Sequence, residues 1–95
     1  MTRSMLAINV SRPSEKYLKK LLPKHRRQVS HKILKLAENP EASDASLLQG
    51  FRDCYRADIG EHRIIFHWTS VTLFVDLIGK RNDDDVYRKL RRMKK

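Results

Sequence analysis

Between Asp53 and Arg81 the chain reads DCYRADIGEHRIIFHWTSVTLFVDLIGKR, and this stretch limits the fold more than any other. It predicts three antiparallel strands joined by two tight turns, because side chains alternate along a strand and residues i and i+2 share a face. Tyr55, Ala57, Ile59, Ile64, Phe66, Trp68, Val71, Leu73, Val75 and Leu77 fall on one side, which is apolar nearly throughout and requires a cover. Cys54, Arg56, Asp58, Arg63, Ile65, His67, Thr72, Phe74, Asp76 and Ile78 fall on the other. Buried charge is costly unless paired, so this second face is expected either to meet water or to hold something charged.

The cover has to come from a short chain. Ninety-five residues give one domain, 1–95, with one modest core. Lys and Arg number 21 against 11 Asp and Glu, a formal net charge of +10. So large a charge repels itself and favours an anionic partner. Nucleic acid leads, an acidic protein follows, and an anionic membrane surface comes last. No apolar run approaches the ~18 residues of a spanning helix, and the N-terminus lacks the apolar run of a secretory signal. The lone Cys54 builds neither an internal disulfide nor a thiolate metal site. A cytoplasmic protein without membrane attachment is expected.

Met5 to Val10 is a short apolar run suited to a first strand. Ser11-Arg12-Pro13-Ser14-Glu15 supplies a capping hydroxyl, a first-turn proline and an early acid, the marks of a helix start. Pro23 ends or kinks that helix. A second helix to about Glu38 presents Val29, Ile33, Leu36 and Ala37 as its apolar stripe. Lys24, Arg26, Arg27, Lys32 and Lys35 form its basic side, read as a solvated face that adds long-range attraction to RNA. Glu41 to Gly50 reads as a connection. Asn82-Asp83-Asp84-Asp85 caps a last helix through Tyr87, Arg88, Arg91 and Arg92.

Gly60-Glu61 suits a two-residue hairpin turn, which sets Ile59 opposite His62 and Asp58 opposite Arg63. If Thr69-Ser70 is a second such turn, Asp76 lies on the other flank of Arg63. Arg56, Asp58, Arg63, Lys80 and Arg81 then gather at one end of the sheet, with Tyr87 turning back over it. Paired guanidinium donors suit phosphate oxygens. His67 lies four residues along the strand from Arg63, about 13 Å at strand rise, and His62 belongs by parity to the other face. All four histidines are read as structural, and no metal ligand set is expected.

Leu48-Gln49-Gly50, Asp53-Cys54-Tyr55-Arg56, His62-Arg63-Ile64-Ile65-Phe66, Ile78-Gly79-Lys80-Arg81 and Val86-Tyr87 together resemble the RelE branch of the RelE/ParE toxin superfamily. The resemblance covers essentially the whole chain. It implies an α+β fold: an N-terminal strand, a two-helix hairpin, a three-stranded antiparallel meander completing a four-stranded sheet, and a C-terminal helix. It further implies the toxin of a type II toxin–antitoxin system, a ribosome-dependent mRNA endonuclease that inhibits translation.

Carried over by position, the family's catalytic residues fall on Arg63, Arg81, Tyr87 and Arg56, and Lys80, Arg88 and Arg91 are expected to bind substrate. Where the family usually has a second basic residue on the strand of Arg56, this chain has Asp58. The implied reaction uses no metal and no cofactor: the RNA 2′-hydroxyl attacks the adjacent phosphate. A RelB-like antitoxin with an acidic or amphipathic segment, forming a hetero-oligomer with the toxin, and the ribosome with its mRNA are the implied partners. A ParE-like inhibitor of DNA gyrase without nuclease activity is the alternative, and Asp58 moves weight toward it. A basic nucleic-acid-binding module without chemistry is a third.

Overall fold

Strands β1 (Ala7–Val10), β2 (Ser46–Leu47), β3 (Tyr55–Ile59), β4 (His62–Trp68) and β5 (Thr72–Lys80), with helices α1 (Arg12–Lys20) and α2 (Pro23–Glu38), make up the fold. The structure is a computed structural model that describes residues 5–41, 46, 47, 54–81, 88, 91 and 92. The strands form one five-stranded sheet in the order β1-β5-β4-β3-β2. The α+β class is as the sequence implies, but the sheet has one strand more than the four expected. The addition is β2, two residues of the polar connection paired antiparallel with β3, Ser46 opposite Arg56 and Leu47 opposite Tyr55. A two-residue strand has no periodicity to read. The first strand, β1, lies parallel to β5 at one edge of the sheet, and α1 and α2 carry the chain from β1 across to β2 at the other edge.

Both helices cover the face predicted to be apolar. The stripe Val29, Ile33, Leu36 and Ala37 is buried and packs in one cluster with Ala57, Ile64, Phe66, Leu73, Val75 and Ile78. Tyr55 and Trp68 pack against it, with their ring centroids 4.6 Å apart and those of Phe66 and Trp68 5.9 Å apart.

Two features of β5 depart from expectation. Thr69-Ser70 does not act as a two-residue turn. Thr69 Oγ1 accepts from the amides of Val71 and Thr72 and the Thr69 amide donates to the Thr72 carbonyl, so the loop is wider and Trp68 pairs with Leu73. A β-bulge follows, because Phe66 pairs with Val75 while Ile65 pairs with Leu77, leaving Asp76 as the extra residue. Its effect on parity is decisive. Beyond the bulge Ile78 joins the helix-covered core, and Leu77, expected there, goes to the reverse face. Val71 is 68% exposed rather than buried. Cys54, Ile65 and Leu77 are buried, so the reverse face has an apolar centre, with Arg56 beside it opposite Ile65, and polar ends.

The start of α1 satisfies the backbone at the bulge. The Ser11 amide donates to the Val75 carbonyl, and the Ser11 hydroxyl donates to the Asp76 carbonyl at 2.8 Å. Ser14, fully buried, places its hydroxyl 3.4 Å from the Val75 carbonyl. The helix cap and the strand irregularity are therefore one construction, since buried carbonyls need donors. No helix among the described residues is long and apolar enough to cross a membrane.

Candidate active site

The β3–β4 hairpin builds the site. Gly60 takes φ 58° at its tip, a conformation that strains residues with a Cβ, and an added Cβ would come within 3.2 Å of the Gln28 side chain. The tight turn sets Ile59 opposite His62 and Asp58 opposite Arg63, as the spacing predicts. Arg63 Nε then donates to Asp58 Oδ1 at 2.7 Å and Nη2 to Oδ2 at 3.3 Å, a two-point pairing. The Arg63 side chain is 11% exposed and that of Asp58 34%. On β5 the residue opposite Arg63 is Gly79, not Asp76. The expected second carboxylate is absent from that flank because the wider turn and the bulge move Asp76 toward the other end.

Arg81, just past β5, approaches the same carboxylate. Its Nε lies 3.7 Å from Asp58 Oδ2, its Nη1 donates to the Gly60 carbonyl, and its amide donates to the Glu61 carbonyl. The backbone bond ties the end of β5 to the hairpin tip and so fixes where the guanidinium starts. Asp58 is held below its usual pKa of 3.8, chiefly by the Arg63 hydrogen bond; burial opposes this, and the charges of Arg63, Arg81 and Arg56 add to the lowering. The carboxyl is thus ionised at neutral pH and a poor proton acceptor.

The predicted residues separate into groups. Arg63 and Arg81 meet at Asp58, and Arg56 is near enough to act on its charge. Lys80 does not join them. It pairs with His62 and by alternation belongs to the helix-covered face, its charge acting on His62 instead. Arg88 and Arg91 are helical and exposed. Tyr87 and the cap at Asn82 lie outside the described residues.

Sequence reasoning did not find the polar cluster on the covered face. His62 is 6% exposed, with Nδ1 2.9 Å from the Tyr17 hydroxyl and the His25 ring standing edge-on at 5.7 Å. Its Nε2 is buried without a hydrogen-bond partner. Burial above all, then the nearby His25, holds the imidazole below its usual pKa of 6.5; Glu61 raises it and Lys80 lowers it further. The folded state therefore favours neutral His62, while the unfolded chain takes up a proton near 6.5. This contribution is complete above pH 6.5 and is lost as pH falls through the lower folded value. The urea midpoint is expected to drop between about pH 7.5 and 5.5, and His62→Phe should reduce that drop. At the sheet's other end His67 Nδ1 lies 2.6 Å from Asp76 Oδ2, and its ring stacks on Phe74 at 4.7 Å.

Sequence comparison finds no matching family model and no matching curated protein. Solved structures do match. A mutant of the Escherichia coli toxin RelE in the free state superposes with a TM-score of 0.77 at 23% identity, covering 95% of this chain and 99% of that one. The fold is that of the RelE toxins. The RelE fold recurs in the intact E. coli RelBE toxin–antitoxin complex, with a TM-score of 0.70 and 23% identity over 84% of this chain and 100% of that one. It recurs again in the archaeal RelE–RelB complex of Pyrococcus horikoshii, at 0.68 and 23% over 83% and 98%. At these identities the likeness is one of architecture.

Proposed function

We infer that this chain is the toxin of a type II toxin–antitoxin system, a cytoplasmic, ribosome-dependent mRNA endonuclease that needs no metal. The observation that carries the reading is the approach of two guanidiniums, Arg63 and Arg81, to one anionic point with Arg56 beside it. Asp58 orients these guanidiniums, and a phosphodiester would be held by the donors that Asp58 leaves over. The 2′-oxygen attacks phosphorus, forming the O2′–P bond, and the P–O5′ bond breaks. The 2′-proton leaves to a base, and the departing 5′-oxygen takes a proton, giving a 2′,3′-cyclic phosphate and a 5′-hydroxyl. Arg63 and Arg56 stabilise charge on the phosphoryl oxygens, and Arg81 stabilises the leaving oxygen. Tyr87 is assigned to the 2′-hydroxyl by position alone. Asp58 is an alternative base, weakened in that role by the cations that lower its pKa. Binding the mRNA in a reactive geometry supplies much of the remaining rate, a task given to the ribosome.

A RelB-like antitoxin is the proposed partner, since RelE occurs bound to RelB in the matching complexes. Asp58 at a position where the family carries a base favours one second reading, a ParE-like gyrase inhibitor on the same fold. Primer extension on mRNA from cells expressing the protein separates the two. Discrete breaks inside translated codons are expected. Intact mRNA with a DNA-damage response would install the gyrase reading instead.

A further inference from the structure

A cleft of about 490 Å³ opens between α2 and the hairpin tip, lined by Lys24, Arg27, Gln28, His31 and Ile59. The four helical residues stand at i, i+3, i+4 and i+7, one continuous stripe of α2, and all four are exposed. The basic residues of α2 are not alike. Arg26 gives its guanidinium to the carbonyls of Leu18, Lys19 and Leu21, closing the end of α1. Lys24 and Arg27 make no ion pair with an acid among the described residues, and no acid lines the cleft. The floor, Ile59, sits between Asp58, which holds Arg63, and Gly60, whose carbonyl accepts from Arg81.

We propose that this cleft is a second phosphate-binding subsite, in which Lys24 and Arg27 hold the RNA backbone beyond the hairpin tip from the guanidinium cluster. It deepens the nuclease reading in taking RNA as the ligand. A strand whose phosphate lies at Arg63 and Arg81 would pass round the hairpin tip to reach α2 on the helix-covered side, where Ile59 lies. The occupant is a nucleic acid backbone because Lys24 and Arg27 are exposed cations that no acid of the lining neutralises, so affinity comes from phosphate neutralisation.

The test is fluorescence anisotropy of a short unstructured RNA oligonucleotide against the full-length protein over a salt series. Lys24→Ala/Arg27→Ala should weaken binding about tenfold at physiological salt. It should also lower the slope of log K against log salt by about 1.4, two single-strand contacts at ~0.7 each. Lys16→Ala/Lys20→Ala, removing equal charge from exposed positions on α1, should change the slope by less than half as much. Equal slopes for the two double variants would reduce the cleft to diffuse attraction and overturn the proposal. So would a polyglutamate peptide that binds the cleft more tightly than RNA, which would make the occupant an acidic protein. Binding that depends on the cleft in a protein that never cuts mRNA would sink the nuclease reading and leave the subsite standing. Cutting with no cleft dependence of binding would do the reverse.

Discussion

Arg63→Ala is expected to reduce mRNA cleavage about 10²–10³-fold, the usual loss when one fixed donor to transition-state charge is removed. The magnitude follows from position. The side chain is 11% exposed and its guanidinium is oriented by two hydrogen bonds to Asp58, so it needs little reorganisation as charge builds on phosphorus. Arg63→Lys is expected to remain far below the wild type, because an ammonium cannot reproduce the planar two-point donor. Stability should change less than activity. The orphaned Asp58 is 34% exposed and keeps Arg81 nearby. Cleavage in a translation extract, with circular dichroism and antitoxin binding as controls for folding, gives the answer. Full activity in a folded Arg63→Ala protein would remove the central assignment.

Phe66→Ala should lower the free energy of unfolding by about 3–5 kcal/mol, the range for deleting a buried aromatic side chain. Phe66 is fully buried, lies in the cluster that joins both helices to the sheet, and contacts Tyr55 and Trp68. Against the ~5–15 kcal/mol of a typical domain, the loss is a large fraction of the total. Val71→Ala, at an exposed site, is expected to stay within about 0.5 kcal/mol. Urea unfolding of the two variants measures the contrast. A Phe66 cost below about 2 kcal/mol would mean the site collapses around the gap.

What the sequence discloses and what it hides follows from the range of the forces involved. The stripe of α2 and the Asp58–Arg63 register depend on local signals, a 3.6-residue period and a glycine at a tight turn, so both were legible. The β4–β5 register depends on Thr69 accepting two amides and on a bulge at Asp76 whose carbonyl is met by Ser11, 65 positions earlier. No local pattern announces that bond, so simple alternation puts Leu77 and Ile78 on the wrong sides of the sheet and Asp76 in the wrong register. Lys80 adjoins Arg81 in sequence, but alternation along β5 sends it to the helix-covered face, opposite His62. The His62 cluster was half visible. Parity placed the ring on the covered side, but its approach to Tyr17 and His25 needs the docked helices.

The parallel pairing of Ala7–Val10 with Thr72–Val75 has a consequence for synthesis. The first strand leaves the exit tunnel long before its partner exists, and loop closure over so long a span is slow. A nascent chain stopped before Thr72 would carry Arg63 but neither the strand that joins the two halves nor Arg81. The sheet thus cannot close until the chain has been made through β5.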